Sequence, residues 1–469
     1  MDVTAVEIAA RVRAGELSAV EVVRAALGRI RGAESLGAFA WVDEERALAQ
    51  AEAVDAAVAQ GEAGSLTLAG VPCPIKQLAE VEGLPYTGGS LALEGNVGRR
   101  TDAVARRLVE AGTVTVGLTT APEFGFPCYT EPASGAVVTP WDRSRGAGGS
   151  SGGAAAAVAA GVVPIAHASD GGGSIRIPAS SCGVVGLKPS RGLVSTLPGR
   201  VAGPGLVCDG VVSRTVRDTA LALDALAGNV PGDTYLLPRS PSYLRACDEA
   251  PRRLRIGLLV RPVISETASV SPECTAAAEE TAGWLETMGH EVAPAPVAFP
   301  PERWAAFQAL WTTGAAGVPV PPGREGLLTP MTRWLRQQGR QVSGTAFAEA
   351  LGAVQALTLE VAETWADFDV VVTPTLARPP ARVGELRDDD DPAGDFGAQI
   401  DYTPWTSIAN LTGRPSVSLP LHRATVEGAV LPIGVMLTGR IGEDSALLGL
   451  AAHLEAEHPW PLVAPGWGG

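Results

Sequence analysis

Residues 148–153 read Gly-Gly-Ser-Ser-Gly-Gly, and an alanine- and valine-rich run, AAAAVAAGVVPIA, follows without a break. A flexible linker would have polar, unstructured neighbours. Here PWDRSRGA precedes the block and an apolar, helix-forming run follows it. The block therefore predicts a tight turn that delivers a helix N-terminus, where backbone N–H groups lack intrahelical partners. Its glycines let Ser150 sit where an ordinary backbone would not. Further on, Ser174 closes the stretch HASDGGGS. Three glycines before a serine let a ligand approach the backbone closely, and successive N–H groups there can form an anion-binding nest. A nucleophilic serine beside such a nest has an oxyanion hole at hand, as acyl transfer requires. A glycine turn with a helix-capping serine is the plainer alternative.

A nucleophilic Ser174 needs a base. Of 36 basic residues only two are lysine, Lys76 and Lys188. Chance survival under a strong arginine bias would explain that; so would a need for an amine that can lose its proton, which a guanidinium cannot do. Lys76 lies in the strand-like apolar stretch VPCPIKQL, where burial disfavours the charged amine. A neutral Lys76 could take the proton of Ser174 through Ser150. A Ser-His-Asp triad is the competing arrangement, because residues 149–153 also fit G-x-S-x-G, with His422, His453 and His458 downstream. That elbow should follow a strand, and PWDRSRGA does not read as one.

The rest of the chain sets the frame. Its 469 residues are 46% hydrophobic and 19% charged, enough to bury a large core. A formal charge of −15 argues against nucleic acid as a partner. No apolar run is long enough to span a membrane, and the N-terminus does not read as a signal peptide. The six cysteines are scattered without a CxxC pair, as expected of reduced thiols in the cytoplasm. Residues 1–64 read as helices, with Ser18 and Glu21 as a capping box and Gly61 closing the third helical stretch. From about residue 65, short β-branched runs alternate with helical ones, the pattern of an α/β layered architecture. LRIGLLV and DFDVVVTPT read as strands, SPECTAAAEETAGWLETMGH as a helix, and the C-terminal segment as strand, strand, helix. The aromatics of ERWAAFQALW are spaced to line either a pocket or ordinary core. RDDDD reads as a solvated loop.

Taken together, the block GGSSGG…SDGGGSIRIPASSCGVVGLKPSRG resembles the amidase signature family of serine hydrolases. The likeness extends to GELSAVEVVRAALGRI, GVPCPIKQL, APEFG, TPWDRSRG, SRTVRDTALALDALAG, NLTGRPSVSLP and PIGVMLTGR. The resemblance implies an α/β/α sandwich: a large mixed, mostly buried β-sheet flanked by helices, in a single domain over residues 1–469. Within it, 1–64 would be N-terminal helices, 65–230 the catalytic core, 231–400 a variable substrate-pocket region, and 401–469 the strands and helix completing the core. It also implies a triad: nucleophile Ser174, bridging Ser150 behind a cis peptide, and base Lys76. Backbone N–H groups of Gly171, Gly172, Gly173 and Ser174 would form the oxyanion hole, while Ser151, Asp170 and Arg176 would hold the loop. Lys188 falls in the family's GLKP turn. Three departures stand out: Gln77 where the family usually has Asp, Gly171 where it has a bulkier residue, and Met436 where Gln is common.

The implied activity is that of an amidase acting on carbon–nitrogen bonds other than peptide bonds, with a small-molecule amide as substrate and neither metal nor organic cofactor. TEPASGAVVTPWD, the AHASDGGGS block and NVPGDTYLLP are most similar to the 6-aminohexanoate cyclic dimer hydrolase group. Linear or cyclic 6-aminohexanoate oligomers and aryl or alkyl amides are the expected substrates, and a homodimer is an assembly this reading allows. The catalytic subunit of a glutamyl-tRNA amidotransferase and an amide-forming acyltransferase share the same signature and stand as alternatives.

Overall fold

The computed structural model describes residues 3–199, 204–298, 300 and 303–467. The alternating apolar runs assemble into an eight-stranded mixed sheet. Its strands run in the order Glu291–Pro294, Arg255–Leu258, Val370–Pro374, Ala429–Thr438, Ser416–Val426, Val185–Lys188, Cys208–Ser213 and Ile165–Asp170. The first three are mutually parallel; every later pairing is antiparallel. Strands Ile165–Asp170, Val185–Lys188 and Cys208–Ser213 are buried at every residue, because helices flank the sheet. Residues 231–400, expected to shape the pocket, also supply three strands of this sheet.

The Gly-Ser block delivers a helix, Gly152–Ala159, whose eight residues are all buried. Nothing larger than valine occurs in it, so its backbone packs closely on the strand Ile165–Asp170 and the helix Arg176–Cys182. PWDRSRGA, expected to lack a strand, supplies Asp142–Gly146, which pairs with Val138–Thr139 in a separate two-stranded ribbon. Its charged residues hid a strand that never enters the main sheet.

The N-terminal region is helical over Ala5–Arg13, Ala19–Gly32 and Glu44–Ala59. A strand absent from the sequence reading, Phe39–Val42, interrupts it. This strand pairs with Gly117–Thr119, which pairs in turn with Ile75–Lys76. Four residues with three of them exposed give no periodic signal, yet the resulting small sheet carries Lys76. The capping box expected at Ser18 is only half formed. Ser18 Oγ accepts from the Glu21 N–H at 3.4 Å, but Asp55 of the next helix takes the other donors. Asp55 accepts from Ser18 Oγ at 2.6 Å and from the N–H groups of Ala19 and Val20 at 2.7 and 3.2 Å. A complete box does form at Thr4 and Glu7.

A buried carboxyl and a half-buried one tie the two ends of the chain to the core. Asp218 accepts the Val6 N–H at 3.0 Å, and Glu455 of the C-terminal helix accepts the Val216 N–H at 2.9 Å. Burial pushes the Asp218 carboxyl up to about 6, against the backbone N–H groups of Val6 and Ala5. Burial pushes Glu455 up to about 7, with the neighbouring Asp218 adding to the effect. Both bind a proton more tightly folded than unfolded, so their stabilising contribution is complete below pH ~4 and is lost as pH rises through these values. Urea midpoints measured at about pH 5 and about pH 8 should therefore differ less in Glu455→Gln than in the wild type, by up to about 2 kcal/mol. An unchanged difference would remove Glu455 as a titrating group.

Candidate active site

Lys76 sits at the end of the strand Ile75–Lys76 and is fully buried. Its Nζ lies 2.9 Å from Ser150 Oγ, 2.8 Å from Ser151 Oγ, 3.2 Å from Ser169 Oγ and 3.3 Å from the Ser169 carbonyl oxygen. The Gly149–Ser150 peptide is cis. The Lys76 backbone is held as well: its N–H donates to His167 Nδ1 at 3.2 Å. The ring proton must then be on Nε2, which meets Asp209 Oδ1 at 3.3 Å. Gln77, which stands where the resemblance leads one to expect an aspartate, turns away and donates from Nε2 to the Ala121 carbonyl at 3.0 Å. The lysine is oriented by serines instead.

Ser174 lies just ahead of the helix Arg176–Cys182. The loop before it is organised by one carboxylate. Asp170 accepts from the Gly173 N–H at 2.7 Å, from the Ile175 N–H at 3.1 Å, and from Arg176 Nε and Nη2, each at 2.9 Å. Asn410 Nδ2 donates to the same carboxylate at 2.9 Å and accepts from Arg176 Nη2 through Oδ1 at 2.8 Å. Burial alone would push the Asp170 carboxyl up; the Arg176 guanidinium and the Asn410 amide outweigh it and hold the carboxyl well below its usual range. Met436 completes the cage, its sulfur 3.4 Å from Arg176 Nη1. Thr406 Oγ1 donates to the Gly172 carbonyl at 2.6 Å and so fixes that peptide.

Four amides were expected to form an oxyanion hole, but the Gly173 N–H is committed to Asp170. Those of Gly171, Gly172 and Ser174 make no hydrogen bond among the described residues. Gly173 has φ +136°, and a Cβ there would lie 2.5 Å from Thr406 Oγ1, so only glycine fits. Gly171 has a different reason. A Cβ on it would meet the Trp311 indole at 3.2 Å and Val207 at 3.3 Å. The ring fills the space that a larger residue would take, so the oxyanion loop is backed rather than loosened.

Ser150, Ser169, Gly171 and Ser174 line one end of a cavity of about 900 Å³. Arg324 also lines it and donates to the carbonyls of Ala92 and Glu94, both at 3.1 Å. In the helix Trp304–Ala316 the aromatics serve both expected roles: Trp304 and Phe307 are core, and Trp311 lines the cavity. The histidines of the competing triad lie elsewhere. His422 and His458 stack on either side of Trp284, and neither they nor His453 line the cavity. The structure thus brings together Ser174, Ser150, Lys76, Ser151, Asp170, Arg176 and the three glycines. Sequence reasoning missed Ser169, His167, Asp209, Thr406 and Asn410. Ser169 and His167 stood in the same HASDGGGS block, and Asn410 in NLTGRPS. Such a site, with a serine hydroxyl beside open amides and a second serine bonded to a buried amine, can attack a carbonyl and stabilise the charge that develops.

Comparison with known proteins agrees with this geometry. A family model described as Amidase matches residues 21–448. The 6-aminohexanoate-cyclic-dimer hydrolase of Paenarthrobacter ureafaciens is 34% identical over 480 aligned residues, covering 97% of this chain and 94% of the relative. A solved structure of 6-aminohexanoate cyclic dimer hydrolase complexed with substrate superposes with a TM-score of 0.90 at 30% identity, covering 99% of both chains. A bacterial aryl acylamidase superposes with a TM-score of 0.86 at 26% identity, covering 98% of this chain and 96% of the other.

Removing the charge at the centre of the loop tests its structural role. Asp170→Asn leaves the fully buried Arg176 beside a neutral amide and should cost about 3–5 kcal/mol in urea unfolding. A loss below about 1 kcal/mol would mean that the loop is held mainly by its packing.

Proposed function

The chain belongs to the amidase signature family and hydrolyses amide bonds, and we propose that it does so through an acyl-enzyme on Ser174, with Ser150 and Lys76 moving the proton. The observation that carries this assignment is the 2.9 Å contact between Lys76 Nζ and Ser150 Oγ, one loop away from a serine whose neighbouring amides are open. The Lys76 amine lies among three hydroxyls and a carbonyl oxygen, and in its neutral form it can accept a proton from Ser150.

In the first step, Ser174 Oγ bonds to the amide carbon while its proton passes through Ser150 Oγ to Lys76 Nζ. The carbonyl oxygen becomes an oxyanion, which the N–H groups of Gly171, Gly172 and Ser174 stabilise. Collapse breaks the carbon–nitrogen bond, and the proton returns along the same path to the leaving amine. Water then attacks the ester, gives up its proton to the relay, and releases the acid and free Ser174. Asp170 and Arg176 act by holding the loop, Ser151 and Ser169 by orienting the amine. Aryl and alkyl amides and 6-aminohexanoate oligomers are the substrates to try first, as the names of the relatives suggest. We also assign the protein to the cytoplasm. Six unpaired thiols support this, and among the described residues no single helix is long and apolar enough to cross a membrane.

A panel of primary aliphatic amides, anilides, and linear and cyclic 6-aminohexanoate oligomers, read by mass spectrometry, tests the assignment. Ser174→Ala should lose at least about 10³-fold in kcat, and Lys76→Met a comparable factor. Equal turnover by wild type and Ser174→Ala would sink the acyl-enzyme. The kcat/KM of the wild type should also fall about tenfold per pH unit on the acid side, as Lys76 takes up a proton in the free enzyme. A flat acid limb down to the unfolding pH would exclude the lysine as base.

A further inference from the structure

Ser174 stands between two spaces of unequal size. One is the cavity of about 900 Å³; the other is a recess of about 50 Å³ behind the oxyanion loop. Only three residues, Phe126, Ser174 and Trp311, line both. The rings of Phe126 and Trp311 meet edge to face with centroids 5.6 Å apart, and so form a partition ending at the nucleophile. This partition is braced from behind. Trp304, Phe307 and Trp311 stack in succession along one helix, at centroid distances of 4.3 and 5.2 Å. Their edges rest on the loop: Trp311 fills the Cβ position of Gly171 at 3.2 Å, and Phe307 lies 3.5 Å from that of Gly172.

The two spaces differ in which catalytic groups they meet. Ser150 and Ser169 line the large cavity and not the recess; Gly172 lines the recess and not the cavity. A leaving nitrogen must reach the hydroxyl that returns its proton, so the amine side of the substrate lies in the large cavity. The acyl substituent leaves the carbonyl carbon away from that nitrogen, and the recess is the other space that Ser174 lines. Its walls include Ile177, Ile264, Phe307 and Ile400, and at about 50 Å³ it is far smaller than the cavity of about 900 Å³. We propose that Trp311, with Phe126, sets the polarity of substrate selection: the enzyme takes amides with a short apolar acyl group and a large amine. This rests on Ser174, Ser150 and Lys76 acting as described above.

Two isomeric amides test the polarity without changing composition or hydrophobicity: N-octylacetamide, with a short acyl group, and N-ethyloctanamide, with a long one. Wild type should cleave N-octylacetamide with kcat/KM at least about tenfold higher, since a pocket that cannot take extra methylenes discriminates by 10–200-fold. Trp311→Ala joins the recess to the cavity and should cut that ratio at least tenfold. The ratio is an internal control, so a general loss of activity from a less well backed Gly171 does not mimic the effect. Phe126→Ala removes the other half of the partition and serves if Trp311→Ala does not fold. A preference for N-ethyloctanamide, or none, would overturn the proposal while leaving the relay intact. So would a ratio unchanged in both folded variants. If wild type leaves both isomers untouched yet cleaves anilides in a Ser174-dependent way, acetanilide and octananilide give the same comparison. No Ser174-dependent cleavage of any amide would instead overturn the relay, and this inference with it.

Discussion

Asp170 is a carboxylate with no exposed surface, and five donors converge on it from three directions. Burying such a charge costs several kcal/mol unless its partners are themselves held in place. Arg176 on the following helix and Asn410 on the helix Thr406–Thr412 meet that condition, because each is also bonded to the other. The ion pair thereby fixes the end of the strand Ile165–Asp170, the glycine loop, and a helix more than two hundred residues away in sequence. With Gly173 and Ile175 tied to the carboxylate, the remaining amides have little freedom to turn, and the site keeps its donors oriented before any substrate arrives.

The proposed base comes from another direction. Lys76 belongs to a three-stranded sheet built from the N-terminal region, and its backbone N–H is fastened to His167, the third residue of the main sheet's edge strand. The hydroxyls that face its amine come from the Gly-Ser turn and from Ser169, one residue before Asp170. Nucleophile loop and base are thus adjoining parts of one strand's surroundings, linked by Ser151, which bonds both the amine and the Ser169 backbone. Moving any one of them would disturb the other two.

Much of this was legible in the sequence because it is local. The Gly-Ser turn, the glycine triplet, Ser174 and the apolar stretch around Lys76 each show their character within ten residues. The helix Gly152–Ala159 and the hairpin of Ser416–Val426 with Ala429–Thr438 follow from composition and pattern for the same reason. What escaped depends on partners distant in the chain. Asp55 replaces Glu21 at the cap of Ala19–Gly32 only because the next helix folds back on it. The commitment of the Gly173 amide follows from the path of a loop, which no residue count reveals. Gly171 departs from the family pattern because Trp311, one hundred and forty positions later, occupies the space of its missing side chain.

The two lysines can now be separated. Lys188 is fully buried on a sheet strand, donating to the Pro189 carbonyl at 2.8 Å with Cys208 Sγ 3.9 Å away. Burial pushes its ammonium down. A guanidinium at either place would bring five donors that need partners and a planar group that cannot shed its charge. The described surroundings of Lys188 offer one carbonyl and a thiol, those of Lys76 three hydroxyls and a carbonyl. Neither set could satisfy an arginine. In a chain that uses arginine wherever a cation meets water, lysine survives at the two places where the amine is buried. Only at Lys76 does that buried amine also touch the Ser150 hydroxyl, and the proposed relay rests on that contact.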